Sequence, residues 1–92
     1  MRMNTELQQE LQTAGNMNDV RRILQKHCRQ YGDIRSWQLL NDAKHGRLRC
    51  FVELAQRRNH SALAAKLGAQ LTGREVCLDI PIPPGLVEEP AA

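Results

Sequence analysis

Aromatic residues are scarce: Trp37, Tyr31 and Phe51 are the only three in 92 residues. Little material is therefore present for a surface lined by several rings. Cysteine is present but cannot close completely, because Cys28, Cys50 and Cys77 cannot all pair within one chain. The start of the chain does not resemble a signal peptide, so a reducing cytoplasm is the expected compartment. No apolar run approaches the ~20 residues of a membrane span, and no membrane contact is expected. The cysteines and histidines show none of the paired spacings of zinc sites, so neither a metal nor a cofactor is expected. A Gly-rich phosphate loop, a nucleophile elbow and a close carboxylate pair are all lacking, which argues against an enzyme. Asp33, Asp42 and Asp79 have ordinary turn or surface explanations.

What remains is a short basic chain with clear periodicity. Thirteen basic residues face ten acidic ones, for a net charge of +3, and Glu88 and Glu89 belong to the C-terminal tail. Such a surplus fits either ordinary solubility or attraction to a polyanion. The length fits one domain, which buries only about 60–65 % of the surface its unfolded chain exposes. Residues 1–5 read as a flexible N-terminus, 6–83 as the folded domain and 84–92 as a disordered tail.

Leu7 and Leu11 fit one face of a helix or of a strand, with helix favoured by the Glu, Leu and Gln around them. Asn18 or Asp19 can cap a helix in which Val20, Ile23, Leu24, His27 and Tyr31 form the apolar stripe, and Gly32 ends it. Ser36–Leu40 and Leu48–Leu54 read as two strands of an antiparallel hairpin. The second strand alternates, with Leu48, Cys50, Val52 and Leu54 facing one way and Arg49, Phe51 and Glu53 the other. Asn59 or Ser61 can cap a second helix carrying Leu63, Leu67 and Leu71 and stopped by Thr72-Gly73. A last strand holds Val76, Leu78, Ile80 and Ile82 on one face, with Cys77 and Asp79 on the other, and ends at the prolines that follow. The pattern is α+β, α-β-β-α-β. With a strand over residues 6–14 it becomes βαββαβ, the ferredoxin-like two-layer sandwich. Two helices then cover one side of the sheet and leave the other open.

The stretch from Tyr31 to Ala55 resembles the middle of an RNA recognition motif. Tyr31-Gly32 matches the aromatic-Gly pair that often closes that family's first helix. The octamer K/R-G-F/Y-G/A-F-V-x-F/Y is met by Arg47, Phe51 and Val52, and departed from at Leu48, Arg49, Cys50 and Leu54. Leu71-Thr72-Gly73-Arg74-Glu75-Val76 resembles the approach to the family's last strand. Gly15-Asn16-Met17 resembles the close of its first strand, which would put Thr13 at a base-stacking position. The resemblance implies single-stranded RNA bound across the open sheet face. Thr13, Arg49 and Phe51 would occupy the stacking positions, with Arg49 serving through its planar guanidinium. With only one ring, such binding is expected to be weak and salt-dependent.

Lys44, His45 and Arg47 on the hairpin turn could follow a phosphate backbone or simply be a solvated turn. Arg57 and Arg58, like Arg21, Arg22, Lys26 and Arg29, fit solvated surface. His27 is expected to be packed and hydrogen-bonded, Cys50 to be core, and Cys77 to lie on the open face within reach of solvent. The alternative to RNA is a protein-interaction or self-associating module, in which Leu40 and Phe51 form an apolar contact patch. A helix over residues 6–14 lying across the sheet would favour that alternative.

Overall fold

The computed structural model describes residues 5–86. The expectation of flexibility for residues 1–4 and of disorder for 87–92 lies outside them. Thr5–Gln12 is a helix, α1, so the ambiguous first segment is not a strand. Its two leucines, four residues apart, point inward and are buried.

Helix α2 spans Met17–Arg29. Its cap is Asn16, two residues before the first expected position. The Asn16 side chain accepts from the Asp19 amide at 2.9 Å, and the Asp19 carboxylate accepts from the Gly15 amide at 3.0 Å. The first of these satisfies an N–H that the first helical turn leaves without a partner, and the second ties the residue before the cap back to that turn. The Gly-Asn-Met stretch that resembles a strand end therefore serves as a helix start.

Strands β1 (Ile34–Asp42) and β2 (Arg47–Leu54) form the expected antiparallel hairpin. The turn between them is a short 3-10 segment, Ala43–His45. Helix α3 covers only His60–Leu67. Gly68 ends it in the left-handed region at φ 71°, donating its N–H to the Ala64 carbonyl. Leu71, assigned by spacing to the helix stripe, lies instead in a short strand β3, Gln70–Thr72, and is 55 % exposed. The periodicity overran because a glycine that accepts positive φ ended the helix three residues before it. Asn59 makes no cap bond. Its side chain donates to the Tyr31 carbonyl at 2.7 Å and ties the start of α3 to the end of α2.

Strand β4 spans Glu75–Pro81. The sheet order is β1-β2-β4-β3, with every neighbouring pair antiparallel. The chain order is thus α-α-β-β-α-β-β, which differs from βαββαβ in its leading helix and its additional short strand. Strands β2 and β3 both run antiparallel to β4, which lies between them, and are parallel to each other.

All three helices pack on one face. Leu7 and Leu11 of α1, Val20, Leu24 and Cys28 of α2, and Leu63 and Leu67 of α3 meet Leu48, Cys50, Val52 and Leu54 of β2 and Val76, Leu78 and Ile80 of β4 in one core. Burial pushes the Cys28 thiol up to about 12 and raises that of Cys50 as well. Both are therefore inert packing groups. No described helix is long and apolar enough to cross a membrane.

The chain after β4 departs from the expected tail. Pro84–Leu86 forms a 3-10 turn, and Leu86 packs against the core. Gly85 presses on the loop joining α1 to α2, where a Cβ would run into the Ala14 carbonyl. Gly85→Ala is expected to cost about 1–3 kcal/mol, as an overpacked site does, measured by urea unfolding. A mobile tail would show no change.

Candidate nucleic-acid interface

Strand alternation and register define the face away from the helices. Gln38, Leu40 and Asp42 of β1 stand opposite Phe51, Arg49 and Arg47 of β2, which in turn stand opposite Cys77, Asp79 and Pro81 of β4. No described segment covers this face. Helix α1 does not cross it, since its buried leucines join the core on the other side.

The centre of the face is an ordered ladder of charge. Arg47 donates through Nε to Asp42 at 2.8 Å and through Nη1 to Asp79 at 3.3 Å. Arg49 donates through Nε to the other Asp79 oxygen at 2.9 Å. Its guanidinium carbon lies 5.4 Å from the centre of the Phe51 ring, within cation–π range. Asp79 thus holds both arginines, and Arg49 in turn shields one side of Phe51. Phe51 is half-buried and Leu40 is 42 % exposed.

The hairpin end continues this network. His45 Nδ1 lies 2.8 Å from Asp42, and Lys44 is exposed beside it. Hydrogen bonds from His45 and Arg47 hold the Asp42 carboxyl below the usual carboxylate range. The side chains at sequence separations of 3, 5 and 32 therefore act as one unit.

Five of the six residues expected at the interface, Phe51, Arg49, Arg47, Lys44 and His45, fall on this face or on its hairpin end. Thr13 does not. It lies outside the sheet, just after α1, and donates its hydroxyl to the Glu10 carbonyl at 2.7 Å. The segment aligned with a first strand is helical, so no stacking position exists there. Cys77 has the expected register opposite Phe51 but is only 4 % exposed, and Arg49 Nη2 lies 3.4 Å from its sulfur. Sequence reasoning placed its face correctly and missed the arginine that lies over it.

Carboxylates pair with and neutralise the arginines of this face. Arg47 and Arg49 share it with Asp42, Glu53, Glu75 and Asp79. A second basic cluster lies on the helix layer. There Arg21, Arg22, Lys26 and Arg29 line a shallow groove on α2 with Asn18 and Gln25. Lys26 is held by Glu10 at 2.7 Å, and Arg22 by Asp19 at 3.0 Å.

Two histidines are buried. His60 Nε2 accepts from the Leu54 amide at 2.9 Å, a bond no sequence pattern announced. His27 is buried as expected, but its Nε2 lacks the hydrogen-bond partner expected for it. No protein-family model matches this chain, and neither a curated protein nor a solved structure is significantly similar to it.

Proposed function

We propose that the open sheet face binds single-stranded RNA weakly, with Phe51 and Arg49 as its stacking platform. The observation that carries this reading is the guanidinium of Arg49 held over the Phe51 ring on an uncovered sheet. A guanidinium ordered by Asp79 over a half-buried ring loses little conformational freedom when a base stacks beside it. Arg47, Lys44 and His45 lie along the path a phosphate backbone takes toward the hairpin end. The β2–α3–β3 segment, with β4 inserted between its parallel strands, is a split βαβ unit. In this reading β4 takes the central position that an RNA recognition motif gives to its first strand. The positions beside Phe51 are then Cys77 and Asp79 rather than Thr13, and neither is aromatic.

Pairing of the arginines with Asp42 and Asp79 limits the electrostatic share of affinity on this face. Stacking supplies most of it, at about 1–3 kcal/mol per base. The arginines of α2 contribute long-range attraction without touching the bases. The chain acts by binding rather than by catalysis.

An amide-shift NMR titration with a mixed pool of single-stranded RNA tests the reading. Perturbations are expected at 47–53 and 77–79. A titration that leaves both segments unmoved would overturn it. The pairing of both arginines with carboxylates, together with exposed Leu40, favours a second reading: a protein partner or a second copy of the chain docks on this face. Sedimentation across a range of concentrations would then give a rising mass.

A further inference from the structure

We infer that Glu6, Glu10 and His27 form a binding site for a first-row divalent cation, of which zinc is the natural probe, joining α1 to α2. The expectation of no metal weighed cysteine and histidine spacing alone. Glu6 and Glu10 stand four residues apart, so both project from one side of α1. Helix α2 brings His27 up to the same side. One ligand atom from each residue lies within 4.8 Å of those from the other two.

An independent observation points to a ligand. His27 is 4 % exposed, and its Nε2 makes no well-directed hydrogen bond, only an ion-pair contact. Buried polar atoms are ordinarily satisfied. This one faces Glu10 Oε1 at 3.4 Å. Two ligands bound tetrahedrally at zinc distances of 2.0–2.2 Å are themselves about 3.4 Å apart. The His27–Glu10 pair therefore already has the spacing of one edge of a zinc tetrahedron. Glu6 is exposed, and its carboxylate, within 4.8 Å of the other two ligand atoms, is the third ligand of the proposed site. Water supplies the fourth, as in three-ligand zinc sites.

One imidazole nitrogen with two carboxylates suits zinc and its neighbours rather than soft, thiolate-seeking ions. The two negative charges match a divalent cation. Lys26 is the internal competitor, since its Nζ donates to the other Glu10 oxygen at 2.7 Å. That contact leaves Oε1 facing His27 and places a positive charge next to the metal position. Bound metal would fasten α1 to α2 more firmly, beside the packing of Leu7 and Leu11 and the Glu10–Lys26 ion pair.

Calorimetric titration of the reduced full-length chain with zinc chloride, in a buffer that does not chelate, is the test. One saturable site per chain is expected. Glu6→Gln, at an exposed position that should not affect folding, should weaken it at least tenfold. Lys26→Met should tighten it several-fold by removing the competing ammonium. His45→Asn, at the hairpin turn, should leave it unchanged. In long-range ¹H–¹⁵N spectra the His27 Nε2 resonance should shift on zinc addition while that of His60 stays. Zinc in excess should raise the unfolding midpoint by about 3–6 °C in the parent and not in Glu6→Gln. Absence of saturable binding, insensitivity to Glu6→Gln, or loss in His45→Asn would each overturn the assignment.

Discussion

His60→Ala is expected to destabilise the domain by about 3 kcal/mol, a large share of the 5–15 kcal/mol typical of a small domain. Two costs combine. The Leu54 amide loses its acceptor and is left buried without a partner, which costs about 1–3 kcal/mol. The missing ring also leaves a void beneath the end of β2, adding a packing loss of similar size. The hydrogen bond sets the orientation of the ring. Because Nε2 accepts, the ring proton sits on Nδ1. The bond joins residues six apart and closes the turn through which β2 enters α3. Urea unfolding of His60→Ala and His60→Gln separates the two costs. A glutamine oxygen can accept from the Leu54 amide, so this variant should recover about half of the loss. Equal losses in both variants would mean that packing alone sets the role of His60. Hydrogen exchange at the Leu54 amide should accelerate in the alanine variant before exchange at the central residues of β2 does.

Much of the helix-facing half of this domain is legible in the sequence, because periodicity reports burial directly. Leu48, Cys50, Val52 and Leu54 alternate, and all four are buried against the helices. Val20, Ile23, Leu24 and His27 recur at helical spacing and form the inner stripe of α2. What escaped was decided by single residues or by distant ones. Gly68 ended α3 before its leucine repeat was complete, and Asn16 moved the start of α2 forward. Leu7 and Leu11 have a spacing that helix and strand share, and only the propensity of the Glu, Leu and Gln around them pointed to the helix that forms. The place of β4 between β2 and β3 follows from long-range pairing that local pattern does not encode.

The same contrast holds at the candidate interface. Alternation put Arg49 and Phe51 on the outer face and also put Cys77 there. It could not reveal that Asp79, 30 residues from Arg49, fixes that guanidinium over the ring and leaves the thiol buried. The side-chain cluster behind the proposed metal site is hidden from the sequence for a related reason. A search for paired cysteines and histidines overlooks carboxylates on one helix that face a lone histidine on the next. Glu6 and Glu10 carried an i, i+4 signal, but the partner 17 residues beyond Glu10 becomes visible only once the two helices pack together.

Phe51→Ala is expected to weaken single-stranded RNA binding by about 5- to 150-fold, the loss of one stacked base at roughly 1–3 kcal/mol. Arg49→Ala should cost a similar amount, because it removes the second planar group and leaves Asp79 bonded only to Arg47. Either change lies on the outer face, so circular dichroism and the thermal midpoint should confirm a folded domain in each. The decisive variant is Asp79→Asn. In the parent, Asp79 orders Arg49 and Arg47 but also repels phosphate. An ion pair on an exposed surface contributes only about 0–1 kcal/mol to holding its partners. Removing a full negative charge a few ångströms from a phosphate gains about 1 kcal/mol or somewhat more even in water-like surroundings. The gain should win, so RNA affinity should rise about fivefold at low salt, with a steeper salt dependence because both arginines are released to meet phosphates. A protein partner that docks on the same face through paired charges would respond in the opposite direction. Asp79→Asn would then remove one member of the ladder and loosen the complex. Fluorescence anisotropy at two salt concentrations, on the parent and these three variants, separates the alternatives. Tighter RNA binding in Asp79→Asn with weaker binding in Phe51→Ala assigns the surface to RNA, whereas the absence of any RNA response in all four proteins overturns that assignment.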